Sequence, residues 1–137
     1  MRVFLDTNVL VSAFATRGLC AELFERVLLE HELILGRNVL QELAKALRQK
    51  VKLPAREADR ILGFVSNEAT QLIQSSRAVS ASVDSDDAIV LGEALNGNAE
   101  VFVTGDSMIL KVGRVEQLRI ISPRMFWELL QSSQPRQ

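Results

Sequence analysis

Residues 1–14 read MRVFLDTNVLVSAF. Met1–Leu5 is short, almost wholly apolar, and stops at Asp6. An apolar run without a polar residue at every second position suits a strand buried on both faces. Thr7 and Asn8 carry side chains that bond nearby backbone and start helices. Val9, Leu10, Val11, Ala13 and Phe14 then continue as a mostly apolar helix. The strand therefore ends on a carboxylate, at the point where the chain turns into a helix.

The same pattern recurs along the chain. Leu19, Leu23, Val27 and Leu28 share one face of a predicted helix over 19–29. Leu33–Leu35 is a second short strand, closed by Gly36. Asn38, with Gln41 three residues on, predicts a capping box for a helix running through Leu43 and Leu47 to Lys50. Pro54 suits the first turn of a helix from Ala55 to about Val65. Leu72 and Ile73 extend or end it, and the Ser- and Ala-rich stretch 75–85 reads as a loop. Asp86 and Asp87 open a helix whose dipole favours acids in its first turn, and Asn96-Gly97-Asn98 ends it. Val101–Val103 is a strand that stops at Thr104-Gly105-Asp106; Ile120-Ile121 is the last strand, and Pro123 starts the last helix. Helices alternating with short apolar strands predict a three-layer α/β/α domain with a mostly parallel central sheet. Its expected extent is 1–131, with 132–137 a frayed tail.

Composition narrows the chemistry. The 137 residues suit one domain; 47% are hydrophobic and 24% charged, which disfavours disorder. One Cys and one His exclude a disulfide framework, a Cys-rich zinc site and most His-based metal sites. No apolar run approaches the length of a membrane helix and the N-terminus has no signal-peptide layout, so a cytoplasmic protein is expected. The net charge of −1 gives no global argument for nucleic acid.

What remains is a set of acids: Asp6, Glu42, Asp86 or Asp87, and Asp106. In a parallel sheet ligands sit beyond the carboxyl ends of strands, and Asp6 and Asp106 fall at two such ends. Each acid also has an ordinary reading: a helix cap for Asp6, a solvated helix face for Glu42, dipole-favoured residues for Asp86 and Asp87, a turn for Asp106. Gathered together, carboxylates repel and raise one another's pKa. A hard divalent cation, Mg²⁺ or Mn²⁺, removes that penalty and activates water against a phosphoryl group without His or Cys.

The segments VFLDTNVLVSA (3–13), LQELAKAL (40–47), DSDDAIVLGEAL (84–95), EVFVTGD (100–106) and RIISPRMFWELL (119–130) resemble, in order, the elements of the PIN domain family. The nearest subset is similar to the VapC-like toxins of prokaryotic toxin–antitoxin pairs. The resemblance implies an Mg²⁺- or Mn²⁺-dependent endoribonuclease that hydrolyses RNA phosphodiesters, leaving a 5′-phosphate and a 3′-hydroxyl. By position, Asp6, Glu42, Asp87 and Asp106 are the catalytic acids, with Asp6, Asp87 and Asp106 on the metal and Asp86 an extra acid. Asn8 and Thr104 orient carboxylates or a water. It further implies a homodimer and an antitoxin segment lying across the site, for which Leu19, Leu23 and Phe24 offer part of a groove or else pack in the core. Two departures stand out: Ser85 replaces a common proline, and Met108 stands where a further acid is common. The latter leaves room for a catalytically weak PIN domain acting as a binding or assembly module. A phospho-accepting receiver domain would want paired acids after the first strand and a Lys after the last, where this chain has Thr7-Asn8 and Pro123.

For RNA, Lys45, Arg48 and Lys52 recur at three- and four-residue spacings on the helix of Glu42. They form either a phosphate-binding stripe or a solvated face.

Overall fold

The computed structural model describes residues 1–74 and 77–132. The elements are β1 (Arg2–Leu5), α1 (Thr7–Ala15), α2 (Leu19–Glu30), β2 (Glu32–Gly36), α3 (Arg37–Gln49), α4 (Ala55–Glu68), β3 (Gln71–Ile73), α5 (Ser85–Asn96), β4 (Val101–Val103), α6 (Ser107–Leu110), β5 (Arg114–Val115), β6 (Leu118–Ile121) and α7 (Pro123–Ser132). Three consecutive residues of β1, Val3, Phe4 and Leu5, are at most 1% exposed. Successive strand side chains point to opposite faces, so both faces of β1 are covered. The apolar strands thus dictate helices on either side of the sheet.

The sheet order is β3-β2-β1-β4-β6-β5. All neighbours are parallel except β5 and β6. From β1 the chain builds outward to β2 and β3, then returns to place β4 on β1's other side. The order reverses between β1 and β4, which is where an open α/β sheet leaves its ligand crevice. Their register, Leu5 opposite Val103, brings Asp6 level with Thr104. The Asp6 N–H continues the ladder, donating to the Val103 carbonyl at 2.9 Å. Phe4 and Phe102 stack at 5.3 Å between ring centroids and fix that register from one face.

Several local readings change. Asn38 does not cap α3: the cap is Gly36, which has no side chain to offer, and Asn38 lies inside the first turn. The α5 cap is Asp84, whose carboxylate accepts from Asp87 N–H at 2.9 Å, so Asp86 and Asp87 are first-turn residues. The α1 cap is Asp6 itself, accepting from Thr7 N–H. Helix α6 and strand β5 have too few residues to leave a periodic signal and were not expected. Leu23 is fully buried and Phe24 nearly so, which makes both core. Of the three proposed groove residues only Leu19 is partly open. Helix α7 runs through Ser132, and the remaining tail, 133–137, lies outside the described residues, as do 75 and 76 of the loop. Among the described residues no helix is long and apolar enough to cross a membrane.

Candidate active site

Asp6 sits at the bottom of the site, 8% exposed. Its Oδ1 accepts from Thr7 N–H at 2.9 Å. Its Oδ2 accepts from the Thr104 hydroxyl at 2.7 Å and from Asn8 Nδ2 at 3.4 Å. Capping α1 and presenting a carboxylate are therefore the same act, and the two sequence readings of Asp6 do not compete. Burial pushes the Asp6 carboxyl above its usual range; the bonds from Thr104, Thr7 and Asn8 oppose the rise, and Asp106 adds to it.

Thr104 is fully buried and works in two directions. Its hydroxyl donates to Asp6 and accepts from Asp106 N–H at 3.1 Å. Asn8 likewise bridges, its Oδ1 accepting from Gly105 N–H at 3.1 Å. The turn after β4 is thereby tied to the turn after β1. Asp106 caps α6, Oδ1 accepting from Met108 and Ile109 N–H at 2.8 and 3.3 Å.

The other two acids arrive on helices. Glu42 lies on α3, and its Oε2 accepts from the Thr7 hydroxyl at 3.2 Å. Partial burial raises its pKa, with the Thr7 bond opposing and Asp6, Asp86 and Asp84 reinforcing the rise. Asp87, on α5, is pushed up to about 6 by desolvation first, then by Asp84, Asp106, Asp6 and Glu42. The rise occurs although a helix N-terminus favours an acid. Desolvation, with the neighbouring negative charges added, outweighs the dipole.

Asp6, Glu42, Asp87 and Asp106 line one cavity of about 390 Å³, together with Thr7, Asn8, Val11, Ser12, Ala46 and Lys50. Asp86 is exposed and lines none of it. Among the described residues no three acids converge closely enough to ligate one ion by themselves. The donor set nonetheless fits a hard divalent cation, which is held by one or two carboxylates and keeps several waters. It is all oxygen, and Asp6, Glu42 and Asp87 are each raised in part by neighbouring carboxylates.

The basic residues divide. Lys45 lines a neighbouring cavity with Thr7 and Glu42. Arg48 is held by Asp59 at 2.9 Å, and Lys52 lies beyond α3 with a left-handed backbone, φ 62°. Lys50, not singled out in the sequence, lines the acid cavity itself. Helix spacing was the available signal, since residues 42, 46 and 50 recur every four. A separate cavity of about 600 Å³, between Ser80–Ser82 and Met108–Val115, has no acid in its wall.

A family model for the PIN domain matches residues 2–108. The chain belongs to the PIN domain family. Solved structures similar to this PIN domain include PAE2754 from Pyrobaculum aerophilum, 18% identical with TM-score 0.68, covering 97% of each chain. VapBC-1 from nontypeable Haemophilus influenzae is 16% identical with TM-score 0.64, covering 90% of this chain and 99% of that one. VapBC2 from Rickettsia felis, bound to a DNA fragment from their promoter, is 13% identical with TM-score 0.64, covering 89% and 98%. No curated protein matches.

Proposed function

We propose that this PIN domain is a Mg²⁺- or Mn²⁺-dependent endoribonuclease. One observation carries the reading: acids from four separate elements, Asp6, Glu42, Asp87 and Asp106, line a single cavity beside Lys50. PIN domains are generally nucleases, which supports hydrolysis of a phosphodiester. Asp6, Asp87 and Asp106 are the residues to hold the metal, one or two of them directly and the rest through its waters. When bound, a divalent cation supplies water activation and charge neutralisation at the phosphoryl oxygen.

The chain's own residues do the rest. Thr104 and Asn8 fix the Asp6 carboxylate so that it needs no rearrangement on binding. Glu42, exposed and held at one oxygen by Thr7, is placed to take a proton from water at Oε1. Lys50 brings a positive charge to a cavity that must admit an anionic strand.

The decisive experiment incubates structured RNAs with Mg²⁺, Mn²⁺ or EDTA, comparing the parent with Asp6→Asn. Metal-dependent cleavage that falls at least about a hundredfold in Asp6→Asn, with folding retained, is the expected result. Equal cleavage by both proteins refutes the site. A second reading, a weakly catalytic binding module, is favoured by Met108 and by the absence of a three-acid ligand group among the described residues. It predicts no cleavage and no metal binding by the folded parent.

The similarity to VapBC structures supports a cognate antitoxin as partner and a toxin role. On the face shared by α1, α2 and α4, Phe14, Phe24 and Phe64 meet edge to face, and Phe64 is 43% exposed. An apolar segment of the antitoxin would cover it. A homodimer is proposed on the family resemblance, and sedimentation of the purified chain tests it.

A further inference from the structure

Glu93 lies on α5, away from the acid cavity, and is fully buried. An isolated buried carboxyl is among the costlier groups a fold can carry. Its Oε2 accepts two bonds from Asn38, one from the backbone N–H and one from the side-chain amide, both at 3.0 Å. Its Oε1 is buried with no hydrogen-bond partner among the described residues. Burial raises its pKa; the Asn38 bonds oppose the rise, Glu42 adds to it, and the Arg37 backbone N–H opposes it more weakly.

The position of Asn38 gives the group its meaning. Gly36 caps α3 without a side chain, so the first N–H groups of α3 need an outside acceptor. Glu93 supplies it from another helix. Gly36 also makes the room: a Cβ there would overlap the Glu93 carboxyl and lie 2.6 Å from its Cδ. The carboxyl is thus wedged between Gly36 and the first turn of α3. Glu42 follows Asn38 by about one turn on α3, and Asp87 precedes Glu93 by under two turns on α5.

We propose that Glu93 is a positioning residue, whose carboxyl on the first turn of α3 sets the spacing of α3 from α5. That spacing fixes Glu42 relative to Asp87 across the metal site. The assignment rests on the proposed metal-dependent reading. It accounts for a carboxyl retained in a place where an apolar side chain would pack at lower cost.

The test is Mn²⁺ affinity by calorimetry, measured well below each variant's melting temperature. Glu93→Ala is expected to weaken Mn²⁺ binding about 10- to 100-fold, as loss of an outer support to a metal site does. Glu93→Gln, which keeps an acceptor for Asn38, is expected to stay within about threefold of the parent. The double variant Gly36→Ala/Glu93→Ala separates positioning from packing. Its added methyl refills the space without restoring the bonds to Asn38, so its affinity should remain as weak as that of Glu93→Ala. Parental affinity in the folded Glu93→Ala protein, or its recovery in the double variant, overturns the proposal. Should Glu93→Ala not fold, Asn38→Ala removes one donor and leaves the carboxyl; unchanged Mn²⁺ affinity there also overturns it. A parent that binds Mn²⁺ no better than Asp6→Asn is a different outcome, and sinks the metal-site reading itself.

Discussion

Replacing Asp87 by Asn should stabilise the metal-free protein at neutral pH. The Asp87 carboxyl is pushed from 3.8 to about 6 in the fold. A carboxyl whose folded value lies above its free value binds protons more tightly in the native state. It therefore subtracts from stability once it ionises. The loss is complete above about pH 7, shrinks as pH falls through 6, and has gone by about pH 3, below the free value of 3.8. At about 1.4 kcal/mol per tenfold change in proton affinity, the ceiling is about 3 kcal/mol. Asp87 is partly open to solvent, and screening brings the usable figure to about 1 kcal/mol. For a domain of this size that is roughly 3–5 °C in Tm. The assay is thermal unfolding of parent and Asp87→Asn in EDTA across this pH range. The variant should melt higher at about pH 7.5 and level with the parent at about pH 3. Saturating Mn²⁺ should raise the parent more than the variant, because ligand binding to the native state adds stability by mass action. A variant that melts with or below the parent at neutral pH, or whose gain persists undiminished at about pH 3, refutes the claim that desolvation and neighbouring carboxylates raise Asp87.

Thr104→Val should cost about 1–3 kcal/mol in urea unfolding, because Asp6 loses a donor and Asp106 N–H an acceptor in a buried place. Gly97→Ala should cost a similar amount by overpacking, since the new Cβ would lie 2.5 Å from Ile34 Cγ2 and 3.2 Å from Ile73 Cδ1; the same unfolding assay reads it. Lys50→Ala should lower the salt slope of oligoribonucleotide binding by about 0.7, the value of one single-strand phosphate contact. Arg48→Ala, whose guanidinium is already engaged by Asp59, should leave the slope unchanged and alter stability by under about 1 kcal/mol.

The sheet was legible because its strands are short apolar runs, and runs buried on both faces need no periodicity to stand out. Asp6 and Asp106 could be found for the same reason: each is the first charged residue after such a run. Glu42 and the pair Asp86 or Asp87 stood among the candidate acids with ordinary helix readings beside them, and only the family resemblance chose Asp87 over Asp86, since an acid on a helix surface carries no local mark of its purpose. Lys50 and Glu93 were missed for opposite reasons. Lys50 looks like any exposed lysine near a helix end, and only the distant fold turns that end toward the acids. Glu93 sits among Leu91, Gly92 and Ala94, and nothing adjacent reveals that its partner is Asn38, 55 residues earlier. The mistaken cap at Asn38 is the same error seen from the other side. The residue does bond near a helix start, but its amide donates to a distant carboxylate and not to its own helix.

The pairing of β1 with β4 has a consequence for how the molecule is made. Strand β1 precedes every other strand of the sheet in the chain, yet one of its two neighbours begins at Val101. Until then the growing chain holds Asp6 and Glu42 but lacks Thr104 and Asp106. Val3–Leu5 meanwhile present an open strand edge, the kind of surface that invites pairing with a stranger. A product halted anywhere before β4 therefore lacks Thr104 and Asp106 and keeps that edge open. Pairing of β4 with β1 covers that edge and, in the same step, carries Thr104 and Asp106 to the cavity that Asp6 lines.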